Sequence, residues 1–267
     1  MEKQWLFDRE WTQNFTKVRQ EFMGGFLRDV QKQSELQTAL DLGCGVGYFS
    51  KYLKDFGFKV VAVDAREENI AEAKRRHREI SFLCQDIEDS EIAELGTFDF
   101  VACIGLLYHL ENPFRAIRNI RTLTGKILMI ETMCSPHRSA TMDLLDEGTE
   151  EDQALNYVAF YPSEACFVKM LYRAGFPFVY RFRELPGDEL FKTSLWRKRQ
   201  RTFLVASKAA LSVANLILEK EPIRLVGGDQ DPWVTKFSWV RRGAFHLRVL
   251  AAKALKPMRG TASVKSK

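Results

Sequence analysis

Residues 39–50 read Ala-Leu-Asp-Leu-Gly-Cys-Gly-Val-Gly-Tyr-Phe-Ser, and three features of this stretch decide the fold. Thr38–Leu42 is an apolar run with the length of a buried strand. Gly43, Gly45 and Gly47 follow at alternate positions, which lets the chain turn sharply and lets backbone N–H groups approach a ligand without Cβ obstruction. From Tyr48 to Phe56 the apolar spacing becomes helical. Strand, glycine turn and helix in that order open a βαβ unit whose helix N-terminus points at whatever lies above the turn. The spacing is G-x-G-x-G rather than the G-x-G-x-x-G of dinucleotide-binding turns.

The same alternation continues downstream. It predicts strands at Lys59–Val63, Ile80–Cys84, Phe98–Ile104 and Lys126–Glu131, and helices at Glu67–His77 and Pro113–Thr122. The latter helix has Pro at its first position and Asn112 as cap. A long polar stretch, Cys134 to Asn156, carries acids between Asp143 and Asp152; connections of that length are usually functional. Ser163 then caps a helix to about Ala174, stopped by Gly175, and Phe178–Phe182 and Thr202–Ser207 complete seven strands. The fold class is α/β: a doubly wound, seven-stranded, Rossmann-like sheet. Its last strand, reached without a crossover helix, is expected to insert antiparallel and pair as a hairpin with the sixth. Residues 1–37 read as one or two helices, 38–207 as the ligand-binding domain and 208–267 as a C-terminal extension.

The chain has 267 residues, 46% of them hydrophobic and 28% charged, enough to bury a full core. No apolar run approaches the ~18–20 residues of a membrane span, and the N-terminus has no apolar signal core, so a cytoplasmic protein is expected. Cys44, Cys84, Cys103, Cys134 and Cys166 are far apart with no C-x-x-C pair, which favours reduced core thiols over a disulfide framework or a metal site. The net charge is +5 overall, but residues 208–267 alone carry +8, leaving −3 for residues 1–207. A near-neutral catalytic body with a basic appendage fits that asymmetry.

Open parallel sheets bind ligands beyond the carboxyl ends of their strands, and acids stand at three such ends. Asp64 closes the second strand, 21 residues after Gly43, where a carboxylate can accept both hydroxyls of a ribose. Asp86 follows the third strand and could accept from an adenine amino group, with Ile87 packing on the ring. Asp41 begins the glycine turn and could hold an ammonium. These stretches resemble the class I S-adenosylmethionine-dependent methyltransferase family. ALDLGCGVGYFS looks like that family's first motif, VVAVDA its second and QDIED its adenine loop. The resemblance implies S-adenosylmethionine as cofactor, bound by Asp41, Gly43, Gly45, Gly47, Asp64, Asp86 and Ile87.

After the fourth strand, Gly105-Leu106-Leu107-Tyr108-His109 enters a loop. Gly105 permits close approach of the cofactor, and Tyr108 and His109 fall where acceptor and methyl meet. This pattern, with Glu131-Thr132, Tyr161-Pro162-Ser163 and Gln200-Arg201-Thr202, is similar to the transferases that install a carboxymethoxy group on the wobble uridine of tRNA. By that resemblance Tyr108 and Arg201 contact the transferred carboxymethyl unit of carboxy-S-adenosylmethionine. Those enzymes carry a further cofactor lysine with no counterpart in residues 1–37, and the acidic stretch opposes a polyanionic substrate. Ordinary S-adenosylmethionine and a small-molecule or lipid-linked acceptor are therefore favoured, with nucleic acid the alternative. Candidate catalytic groups are Tyr108, His109 and Glu131, with His137 a second imidazole of suitable basicity. The segment 241–256 reads as a basic amphipathic helix that docks on the domain, lies on a membrane surface, binds RNA or closes the site.

Overall fold

The computed structural model describes residues 5–146, 158–193 and 200–222. The helix expected over 241–256 lies outside them. In chain order the elements are α1 (Glu10–Gln31), β1 (Thr38–Leu42), α2 (Tyr48–Asp55), β2 (Lys59–Asp64), α3 (Glu67–Arg76), β3 (Ser81–Cys84), β4 (Phe98–Ile104), α4 (Pro113–Leu123) and β5 (Thr124–Met133). They continue with β6 (Met142–Asp146), β7 (Val158–Pro162), α5 (Glu164–Arg173), β8 (Phe178–Phe182), β9 (Arg201–Ser207) and β10 (Leu216–Leu218).

The main sheet runs β10-β8-β9-β5-β4-β1-β2-β3. Strands β1 to β5 pair in parallel, and β9 enters antiparallel between β5 and β8, as the missing crossover helix requires. Period-two alternation sends successive side chains to opposite faces. Phe100, Ala102, Ile127, Met129, Phe203 and Val205 pack with α1, α2 and α3, while Val101, Cys103, Leu128, Ile130, Leu204 and Ala206 pack with α4 and α5. The strand order reverses at β1, whose neighbours are β2 and β4, and the glycine turn stands at that switch point.

Four local expectations are corrected. Ala209–Leu218, assigned to the C-terminal extension, passes through a bend and a turn into a strand at Leu216–Leu218. Its end pairs with the open edge of β8 as β10, clamped where Asn215 exchanges side-chain hydrogen bonds with the backbone of Glu184. The compact unit therefore continues to Pro222. The stretch after Cys134 contains the hairpin β6–β7, a local pairing hidden by its many acids. Asn112 occupies the cap position of α4 but gives its side chain to Glu88 at 2.7 Å instead of to the helix. Cys84 is exposed at the end of edge strand β3, whereas Cys44, Cys103 and Cys134 are buried.

Two buried polar residues fix the ends of helices. Ser163 accepts from the backbone N–H groups of Cys166 and Thr141 at 3.1 and 3.2 Å and donates to Ser139 at 2.7 Å. It caps α5 and anchors the loop before β6 together. Asp41, 1% exposed, accepts the Ser50 hydroxyl at 2.6 Å and so ties β1 to the first turn of α2. Burial pushes its carboxyl up to about 7, outweighing the Ser50 donor.

Ser163→Ala is expected to lower stability by about 1–3 kcal/mol in urea unfolding, since two N–H donors lose their acceptor; an unchanged midpoint would contradict this. For Asp41 the folded value exceeds the ~3.9 of an unfolded aspartate. Between those values the unfolded chain sheds a proton that the folded chain keeps, so stability falls as pH rises from about 4 to 7. Thermal melts across that window should show a smaller loss for Asp41→Asn than for the wild type.

Candidate active site

Above the carboxyl ends of β1, β2, β4 and β5 and the amino end of the antiparallel β9 opens a cleft of about 1170 Å³. Sheet order divides it. Residues following β2 and β3 lie on one side of the glycine turn and residues from β4, β5 and β9 on the other.

On the first side, Asp64, Asp86 and Ile87 all line the cleft. Asp64 accepts from the N–H groups of Gly45 and Arg66, each at 2.9 Å, and from Asn69 at 3.0 Å. Oδ1 takes two of these and Oδ2 one, so Oδ2 keeps a free lone pair for a hydroxyl. Burial, with Glu88 and Asp89 nearby, raises the carboxyl of Asp86 although the N–H of Glu88 donates to it. Ile87 is buried, its carbonyl fixed by Asn119 at 2.7 Å. Gly43 lines the cleft with φ +70°, and a Cβ there would meet Leu106 at 2.9 Å.

Three expected ligand contacts are not on the cleft wall. Asp41 is sealed beneath the turn. Gly45 gives its N–H to Asp64, and the ring of Phe7 lies 2.8 Å from where its Cβ would be. Gly47 is needed for packing: at φ +94° it starts α2, and a Cβ would strike His77 at 2.8 Å and Phe82 at 3.1 Å.

On the second side, Gly105, Tyr108, His109 and Arg201 line the cleft. Arg201 donates to Tyr108 Oη at 2.9 Å and to Glu131 at 2.8 Å. The other oxygen of Glu131 accepts from Arg19 at 3.2 Å. Glu131 is 0% exposed and absent from the cleft wall. It holds two guanidinium groups and does not line the cleft, which corrects its place among the candidate catalytic groups. Two arginines on one carboxylate leave a formal charge of +1 facing the cleft. Burial pulls Arg201 down, but Glu131 and Tyr108 outweigh it and hold the group above the ordinary arginine range. For Arg19 burial dominates and the net shift is downward. Phe15 lies against both guanidiniums, at 4.4 and 5.2 Å from its centroid.

The ring of His109 packs tilted against Tyr108, at 41° with ring centroids 4.0 Å apart. His137 does not line the cleft; its ring nitrogen lies 3.3 Å from the Asp143 carboxylate of β6. Among the described residues, His109 is therefore the histidine on the cleft wall.

Two features escaped the sequence reading. Arg19 interrupts the buried stripe Phe15, Met23, Phe26, Leu27, Val30 of α1, and a lone cation in an apolar stripe is the signal that marks it. Residues 5–12 also wall the cleft through Trp5, Leu6, Phe7 and Trp11. Asp8 pins them by pairing with Arg76 at 2.7 and 2.8 Å and accepting from Tyr48 at 2.8 Å.

Residues 40–126 match the family model described as a methyltransferase domain. A ubiquinone biosynthesis O-methyltransferase of Xanthomonas campestris pv. campestris is 31% identical over 100 residues, 35% of this chain and 42% of that one. A tRNA U34 carboxymethyltransferase of Actinobacillus succinogenes is 29% identical over 149 residues, 52% of this chain and 45% of that one. The chain thus matches less than half the length of either relative. In fold it is similar to the N-terminal domain of EvdMO1, crystallised with S-adenosylhomocysteine, with a TM-score of 0.58, 21% identity and coverage of 70% of this chain and 80% of that one. Sheet order, glycine turn and family match agree: residues 40–126 carry a methyltransferase domain, set in a fold similar to that of S-adenosylmethionine-dependent methyltransferases.

Proposed function

We propose that the cleft binds S-adenosylmethionine and that the chain methylates a small-molecule or lipid-linked acceptor. The observation that carries this is the polarity of the cleft, with Asp64 and Asp86 on one side of the glycine turn and Arg19 and Arg201 on the other. The free lone pair of Asp64 suits ribose hydroxyls, Asp86 and Ile87 suit an adenine edge and face, and the +1 cluster suits a carboxylate. Bound there, S-adenosylmethionine supplies an electrophilic methyl group that an acceptor nucleophile takes in line as the C–S electron pair passes to sulfur. The chain's own work is mainly alignment, which can supply ~7–11 kcal/mol of a displacement barrier. Tyr108 is locked by Arg201 and edge-on to Tyr161, with centroids 5.9 Å apart, and shapes the acceptor side. His109 is the group suited to receive a proton if the acceptor is a hydroxyl.

A second reading, transfer from carboxy-S-adenosylmethionine to tRNA, is favoured by Arg19. It supplies a cation from the N-terminal segment beside Arg201 and Tyr108, where the sequence had suggested none. Against it stand the acids Glu88, Asp89, Glu111 and Asp146 along the cleft, poor neighbours for a polyanion.

Calorimetric titration separates the two readings. S-adenosylmethionine and S-adenosylhomocysteine should bind, and Asp64→Asn should weaken both about tenfold or more through the lost charged acceptor. Much tighter binding of the carboxylated form, abolished by Arg201→Ala, would favour the second reading. Binding of none of the three would overturn both.

A further inference from the structure

The hairpin β6–β7 has two unlike faces. The pairs Asp143–Tyr161 and Leu145–Ala159 share one, and Leu145, Ala159 and Tyr161 wall the cleft. The pairs Met142–Pro162, Leu144–Phe160 and Asp146–Val158 share the other. There Leu144 is 61% and Met142 42% exposed, with Phe160 and Val158 half-buried. Contiguous exposed apolar side chains of this kind mark a contact surface.

Met142 also borders a smaller depression against the first turns of α4, with Phe114, Arg115 and Arg118. All three α4 residues are exposed, and neither arginine has an ion-pair partner among the described residues. The depression shares Glu111, Asn112 and Arg115 with the wall of the main cleft, so this surface borders the cleft directly.

We propose that the outer face of β6–β7 and the start of α4 dock on an anionic bilayer, presenting the cleft to an acceptor embedded in lipid. Methionine, leucine and phenylalanine side chains enter the acyl boundary while Arg115 and Arg118 meet phosphate, and the nearby acids Glu111 and Asp146 line the cleft. A second copy of this chain fits less well, because a self-paired face would set Arg115 and Arg118 of the two copies against each other. A nucleic acid would leave the aliphatic side chains unused. The acceptor class rests on the methyltransferase reading; the docking does not.

The test uses the full chain with vesicles of phosphatidylcholine, with and without phosphatidylglycerol, read by flotation and amide hydrogen exchange. Anionic vesicles should bind the protein and protect residues 142–146 and 113–118. The double variant Met142→Glu/Leu144→Glu and the single variant Arg118→Glu should each lower partitioning by about tenfold. Both variants should keep wild-type cofactor affinity in calorimetry, which shows that they fold. Binding without protection at 142–146 would assign the contact to the basic extension and overturn the proposal, as would no binding. Protection that appears without vesicles and grows with protein concentration would assign the face to a second copy. Docking as expected by a chain that binds no cofactor would keep the surface and sink the lipid acceptor.

Discussion

Glu131 carries a full charge in a place with no solvent, and the arrangement of the transfer end follows from how that charge is met. One oxygen takes Arg19 from α1, 112 residues away in sequence, and the other takes Arg201 from β9, 70 residues away. Removing Glu131 would leave two buried guanidinium groups uncompensated, at a cost of about 3–5 kcal/mol. The helix before the sheet and the antiparallel strand at its far side are thereby tied to the carboxyl end of β5. Arg201, fixed in this way, fixes Tyr108. The strap at residues 5–8 meets the glycine turn through Phe7 and is latched separately by Asp8 and Arg76.

The parallel sheet was legible in the sequence because its signals are local: apolar runs of strand length, a glycine turn at 43–47 and helices with caps or stops. The insertion of β9 was legible because the sequence between it and β8 shows no helical spacing of crossover length. What escaped depends on pairing. The residues of β10 become a strand only because β8 offers an open edge, and β6–β7 forms only because its two arms meet. Asp64, Asp86 and Ile87 could be placed by counting from strand ends. Asp41, Gly45 and Gly47 sit in the expected motif, yet their surroundings turn them to packing. Whether a motif residue faces a ligand or the body beneath it is set by neighbours such as Phe7, His77 and Ser50, which are distant or unremarkable in sequence.

Charge is sorted across the cleft in a way that composition conceals. The domain is near neutral overall, but carboxylates follow β2 and β3 while guanidiniums gather beside β5 and β9. A zwitterionic ligand lying across the glycine turn would have each end matched. Because Glu131 already neutralises one arginine, the cluster offers a single formal positive charge, which is the complement of one carboxylate. That count suits the α-carboxylate of S-adenosylmethionine and sets the terms on which a second carboxylate would have to compete.

The most direct test of this account is a crystal structure of the chain with S-adenosylhomocysteine. The account predicts the ribose hydroxyls on Asp64, the adenine beside Asp86 and Ile87, and the amino-acid carboxylate within hydrogen-bond distance of Arg19 or Arg201. A ligand bound with its adenine against the arginines, or outside the cleft altogether, would contradict it.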